Sequence, residues 1–508
     1  MDRRSLVLVT VDCLRRDRVG FRGYSQPLTP FVESLAKESI VFSDAIVAGA
    51  PTYFSFPAIM ASRYPLGLGR EVLGIAPGEA TIATTLQEAG YETAAFIAAN
   101  PYLSARFGYD QGFRQFSDFL DSRLSDATVN WVPPAWAAWT RLNRRLERAT
   151  RRTKITAAVY DELYFRYCQW RSSRGDCSMD QLRRYPAADI VVNAACAWLN
   201  QLSGRPFFLW IHLMDPHHPY YPPQEALQSL GISHITPRRA RFLNSFWNRE
   251  DVSSRRLQRY RKEVMELYDA GIHWVDRQLS RLVDVLKVHQ RWSETVFVVT
   301  ADHGEEFLEH GNRYHSPSGL TEQLIRVPLL VRASDVSTFG IVQEPFSLLH
   351  LAPTLLESLG VDAPLSFRGL GMWKDISAGS SVNRPAIVEC LDACNNPMSV
   401  GDRLAPRLMA VRDGDYKLVL RFGASGEDLY NLKVDPEESL PLPANIAAKE
   451  RVRLLQCARD HLQNSREHRD AGLALRARLR EIRQRIDLKS SPLGASRDES
   501  AVEIGEHG

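Results

Sequence analysis

Seven consecutive apolar or β-branched residues, Thr295 to Ala301, end abruptly in Asp302-His303-Gly304-Glu305. A run without polar alternation suits a strand covered on both faces, as in a parallel sheet flanked by helices. In open α/β sheets, ligands and catalytic groups gather just beyond the carboxyl ends of such strands. A carboxylate and an imidazole delivered there side by side read as two metal ligands. They also read as a helix-capping Asp with a surface His beside it. The choice depends on whether a second strand end brings matching groups.

One does. The run Leu6 to Val11 ends in Asp12-Cys13-Leu14-Arg15, so Asp12 mirrors Asp302. Two carboxylates at one end of a sheet repel unless a cation or proton lies between them. A divalent ion held by Asp12, Asp302 and His303 meets that need and leaves coordination positions open for catalysis. A third element, Ala50-Pro51-Thr52-Tyr53-Phe54-Ser55-Phe56-Pro57, places hydroxyls in a turn that opens a helix. Backbone N–H groups at such a turn favour an incoming anion, and a hydroxyl beside a metal ionises more readily. Without the metal, Thr52 or Ser55 is a helix cap.

Strand and helix patterns alternate over the first 370 or so residues, the signature of an α/β sheet with crossover helices. Helices are expected over 29–39, 79–89, 187–202, 252–286 and 348–359, and strands over 93–98, 206–212 and 327–331. Beyond about 376 the pattern shortens to strands at 385–389, 408–412 and 416–420, which predicts a small antiparallel subdomain. The expected organisation is a catalytic domain over 1–375, the subdomain over 376–450 and a charged helical tail over 451–508, disordered from Ser490. Residues 120–185 interrupt the rhythm as an Arg- and Trp-rich insertion.

Apolar content of 44% and charged content of 24% are those of a soluble globular protein. The net charge of +3 points neither to nor away from polyanions. No apolar run is long enough for a membrane span. Seven cysteines, an odd number without paired spacing, fit a reducing compartment, so a cytoplasmic location is expected. Cys390 and Cys394 stand four apart, but no second close pair completes a zinc site.

Several further motifs carry a family resemblance. They are Val11-Asp12-Cys13-Leu14-Arg15, the 50–65 turn ending in Arg63-Tyr64-Pro65, and His212-Leu213-Met214-Asp215-Pro216-His217-His218-Pro219-Tyr220. Ala301-Asp302-His303-Gly304-Glu305, Glu309-His310-Gly311, Ile325-Arg326-Val327-Pro328-Leu329, Asp413 to Val419 and Asp428 to Leu432 follow in order. Together these resemble the sulfatase-like branch of the alkaline phosphatase superfamily. The resemblance implies an alkaline-phosphatase-like α/β fold with a large, mostly parallel sheet and a small C-terminal α+β subdomain. It further implies that Asp12, Asp302 and His303 hold a metal with Thr52 as nucleophile, and Ser55 is the second candidate. His217 matches the family's histidine near the transferred group, a proton donor or anion contact. His310 and His315 occupy the segment where family members place further proton-transfer groups, although a neutral His there also serves to bond backbone carbonyls.

The departures shift the chemistry. Formylglycine sulfatases convert a Cys or Ser in a Cys/Ser-x-Pro-x-Arg sequence. No cysteine heads that sequence here, and Ser55-Phe56-Pro57-Ala58-Ile59 has Ile where Arg is needed. A threonine nucleophile resembles the phosphotransferase and phosphodiesterase relatives, including phosphoethanolamine transferases. Cys13 replaces the acid often paired with Asp12, which implies one divalent ion (zinc, manganese, calcium or magnesium) rather than two. The expected activity is hydrolysis or transfer of a phosphate mono- or diester. The alternatives are sulfate-ester hydrolysis without formylglycine and a catalytically silent protein that binds an anionic glycan or lipid head group. In the insertion, Trp131, Trp136 and Trp139 precede seven cationic residues between Arg141 and Lys154. That pattern fits a lid helix over the site, or peripheral contact of 131–154 with an anionic membrane or polymer. No recognisable module points to nucleic acid.

Overall fold

In a computed structural model of the chain, the described residues are 4–120 except 25, 154–172, and 178–490 except 203, 335, 337–339, 381–382 and 425. Trp131, Trp136 and Trp139, most of the arginines of the insertion, and the tail beyond Ser490 lie outside them.

The strands of the main sheet are β1 (Ser5–Val11), β2 (Ile40–Ile46), β3 (Glu92–Ile97), β4 (Gln115–Ser117), β5 (Phe207–Leu213) and β6 (Thr295–Ala301). A two-residue hairpin follows, β7 (Glu306–Phe307) with β8 (Arg313–Tyr314), and then β9 (Arg326–Arg332) and β10 (Ile341–Ser347) complete the sheet. Its order is β10-β2-β9-β6-β1-β5-β3-β4. Every residue of β1, β2, β5 and β6 is buried, as their apolar runs require. β1 pairs in parallel with both β5 and β6, with Val11 level with Leu213 and Ala301. Three carboxyl ends therefore open at one edge. β9 runs antiparallel to its neighbours β6 and β2, so the sheet is mixed.

The helices that matter here are α1 (Thr52–Ala61), α2 (Ala188–Leu199), α3 (Arg261–Val288) and α4 (Leu351–Ser358). α2 packs on α3, and α1 packs with α4, so the helices flank the sheet in two groups. The expected 252–286 helix is two pieces, Ser254–Leu257 and Arg261–Val288. Gly360 takes a positive φ of 68° and stops the chain just past α4. All ten residues of α1 are buried, and Ser62 in the left-handed region closes it. A helix apolar all round belongs in a core rather than at a surface.

The small antiparallel sheet contains β11 (Ala386–Leu391), β12 (Arg407–Asp413), β13 (Tyr416–Arg421) and β14 (Gly426–Asn431). Its side chains alternate as strand geometry dictates. Val388, Leu408 and Ala410 join the main core, whereas Ile387, Met409 and Val411 pack under Leu454 and Ala458 of α5 (Ala448–Glu467). α6 (Ala471–Ser490) lays Leu473, Ala474 and Ala477 on Leu68, Val72 and Ala76. α5 and α6 are docked through these contacts. Where the two sheets meet, Lys417 is fully buried between Glu322 at 3.3 Å and Glu438 at 2.6 Å. Arg412 joins Glu322 at 3.8 Å to Asp44 at 3.3 Å, and Arg326 also pairs with Asp44. No helix among the described residues is long and apolar enough to cross a membrane.

Candidate active site

Four strand ends and one helix start converge. β1 delivers Asp12 and β6 delivers Asp302 and His303, all fully buried. His303 Nε2 lies 3.6 Å from Asp12 Oδ1 and 3.5 Å from Asp302 Oδ2. β5 contributes His212, whose Nε2 is 3.3 Å from Asp12 Oδ2. Beyond β3, Asn100 donates its amide to the same oxygen at 3.1 Å. Thr52 is the first residue of α1 and places Oγ1 3.1 Å from His303 Nε2. The proline before it tolerates the helix boundary, and the helix dipole favours negative charge at that end.

Ser55, one turn further along, is buried, and its hydroxyl makes no hydrogen bond with the described residues. Of the two hydroxyls, Thr52's is the one that reaches the Asp–His cluster.

A second group of donors adjoins the first across Cys13. His315 Nδ1 is 2.9 Å from Glu305 Oε2 and 3.4 Å from Cys13 Sγ. Tyr220 donates its hydroxyl to the other oxygen of Glu305 at 2.5 Å. The rings of His217 and His218 stack at 4.5 Å, and His315 lies 5.0 Å from His217 and 4.7 Å from His303. His217 and His315 therefore stand beside the Asp–His cluster. His310 does not: after β7 the turn points it to Gln323 Oε1 at 3.1 Å, and no contact ties it to the cluster. The expectation for His310 is corrected on that geometry.

Electrostatics separate the groups. Burial raises Asp302 above the usual carboxylate range, and the charge of Asp12 adds to it. Burial opposes ionisation of Asp12, yet His217, His212 and His303 hold it well below that range. Burial likewise opposes ionisation of Glu305, but His315, with His218 and His217, takes it down to about 2. Burial pushes His217 and His218 down, whereas His315 is raised by Glu305 against the same burial.

The residues fit a divalent cation. Asp302 Oδ2 is buried with no hydrogen-bond partner. Asp12, His212 and Asp302 each bring a ligand atom within 4.8 Å of the others. A buried carboxylate left unpartnered is costly unless something neutralises it. Among the described residues no Lys or Arg side chain pairs with Asp12 or Asp302.

A family model described as Sulfatase matches residues 4–361, most of the chain. The chain belongs to the sulfatase family. It is a hydrolase of that family, which sits within the alkaline phosphatase superfamily and whose enzymes are metal-dependent. An arylsulfatase of Clostridium perfringens is 22% identical over 490 residues, covering 89% of this chain and 92% of the relative. Among solved structures, a protein bound to its substrate D-glucosamine-2-N,6-O-disulfate superposes with a TM-score of 0.65 at 16% identity, over 92% of this chain and 99% of its own. A phosphonate monoester hydrolase of Agrobacterium radiobacter gives 0.61 at 20% identity, over 92% and 96%. The fold expected from the sequence is the fold observed.

Asn100 and His212 escaped sequence reasoning, as did Glu305, Tyr220 and His218 of the second group. Asn100 follows Ala98-Ala99 after an apolar strand and satisfies the same strand-end rule that located Asp12. His212 lies within a strand, so only register aims it at Asp12.

Proposed function

We propose that this enzyme cleaves phosphate mono- or diesters, with Thr52 as the nucleophile and one divalent ion beside it. The observation that carries this reading is the Thr52 hydroxyl, held 3.1 Å from His303 within the Asp12–Asp302 cluster at a helix N-terminus. Asp12, Asp302 and His303 would hold the ion, with His212 as a further donor. A bound divalent ion supplies Lewis-acid stabilisation of negative charge on the oxygens facing it. Thr52 Oγ1 gives up its proton to solvent, a loss that a divalent ion beside it would favour, and forms the bond to phosphorus as the ester oxygen departs. The first-turn N–H groups of α1 face the phosphoryl oxygens. His217, half-buried and held below its ordinary pKa by desolvation, and His315, held above its own by Glu305, line the far side. A protonated imidazole there delivers the proton that the leaving oxygen requires. Water, or an acceptor alcohol, then releases the phospho-threonine.

The threonine supports phosphate, and so does the structural likeness to the phosphonate monoester hydrolase. Sulfate-ester hydrolysis is the second reading, favoured by the likeness to the Clostridium arylsulfatase. The free cysteines Cys13, Cys196, Cys390, Cys394 and Cys457 are in keeping with a cytoplasmic location. The deciding assay compares p-nitrophenyl phosphate, bis-p-nitrophenyl phosphate and p-nitrophenyl sulfate on metal-supplemented enzyme. Phosphate turnover is expected to exceed sulfate turnover and to fall on the order of a thousandfold or more in Thr52→Ala, about 4 kcal/mol or more. Equal turnover by the variant and the wild type removes Thr52 from the mechanism.

A further inference from the structure

We propose that a groove remote from the catalytic cluster binds an anionic sugar unit of a glycan. The groove, of about 550 Å³, lies between the loop after α1, the strand ends near Pro406 and Phe422, and the C-terminal part of α5. Its volume falls in the range of small-ligand sites. Four arginines line it, Arg70, Arg407, Arg466 and Arg469, against one acid, Glu71.

That acid neutralises little. Glu71 is shared by Arg469 at 3.7 Å and by Arg478. Arg407 stands 3.4 Å from Glu389, which also serves His461 and the amide of Leu66. Arg70 donates to the carbonyls of Leu404 and Ala405, which carry no net charge. The side chain of Arg466, exposed on α5, makes no hydrogen bond or ion pair with the described residues. A concave surface with surplus positive charge focuses the field on anions. Guanidinium forks match the oxygens of sulfate and phosphate groups in pairs.

Charge alone would suit any anion. Phe422 is 46% exposed at this groove, beside Pro406 and Leu462. An exposed ring next to arginines suits a ligand with one apolar face and charged substituents, which is the chemistry of a sulfated or phosphorylated sugar ring. α1 spans about 14 Å from Thr52 to Ala61, and Leu66 lies beyond its far end. No residue lining the groove belongs to the catalytic cluster, so the site is separate.

The test uses calorimetric titration of the full-length Thr52→Ala protein with a heparin-derived hexasaccharide and with its chemically desulfated counterpart. Because turnover is not read, failure of the Thr52 mechanism leaves this measurement intact. The sulfated ligand is expected to bind saturably and the desulfated one not to bind. Combining Arg70→Ser with Arg466→Ser should weaken binding at least tenfold, and Arg466→Lys alone should keep most of it. Arg466→Glu, an exposed single change, gives the same reading should the double variant fail to fold. Three outcomes overturn the proposal: unchanged affinity in these charge-removing variants, equal binding of the desulfated ligand, or binding to phosphatidylglycerol vesicles without binding to the hexasaccharide.

Discussion

Two clusters of buried charge lie near the start of β9, at one edge of the main sheet, and they are built on opposite rules. At the junction of the two sheets, Asp44, Glu322 and Glu438 face Arg326, Arg412 and Lys417, so the protein supplies its own countercharges. Burial opposes ionisation of Glu322, yet Lys417 and Arg412 hold it below the usual carboxylate range. At the ends of β1 and β6, two buried carboxylates meet histidines but, among the described residues, no Lys or Arg, and Asp302 is raised while Asp12 is lowered. A permanent cation would have fixed the second cluster as firmly as the first. The junction carries its own countercharges; the cluster has the donor set of a divalent-cation site.

That contrast yields four expectations, which begin with the largest. Asp302→Asn should lower turnover by on the order of a thousandfold or more, upwards of about 4 kcal/mol, with the melting temperature of the chelated protein held or raised. A lower melting temperature there would put Asp302 with the structural charges. Lys417→Met does the reverse: it takes the cation from Glu438 and leaves Glu322 with Arg412 alone, and stability should fall by about 3 kcal/mol, while the kcat of the folded fraction stays put. Denaturant titration beside single-point kinetics separates the two effects.

The third concerns acid. Glu305 titrates at about 2 in the fold against an ordinary value of 4.5. Its contribution to stability is therefore whole above pH 4.5 and disappears as the pH falls towards 2. In Glu305→Gln the loss of stability between those values should be shallower by roughly 1–2 kcal/mol; an acid limb identical to the wild type would show that the His315 contact stabilises nothing. The smallest effect belongs to His310→Gln, where turnover should stay within about twofold, because its ring bonds Gln323 outside the cluster. A tenfold loss would return His310 to the reaction.

Much of this was legible in the chain because burial on both faces leaves a plain record. β1, β5 and β6 are unbroken apolar runs, and the polar residues that end β1 and β6 stood out for that reason. β10 and β14 left no such record. The sequence of β10, Ile341-Val342-Gln343-Glu344-Pro345, is half exposed at the sheet edge, where proline is tolerated and periodicity fades. β14 begins Gly426-Glu427-Asp428, which reads as a turn until β13 pairs with it. The direction of β9 was hidden too, since a buried run looks the same parallel or antiparallel. Asn100 and His212 needed the register of β3, β5 and β1 to be known before their meeting at Asp12 could be seen.

The complete burial of α1 has a kinetic corollary. A helix with no solvent face has no cheap local opening, so its amides can exchange with solvent only when most of the molecule comes apart. Hydrogen exchange at Tyr53 to Ala61 should then track global unfolding, and heat inactivation should follow the same curve. The nucleophile proposed above, Thr52, is thus mounted on a helix with no solvent face.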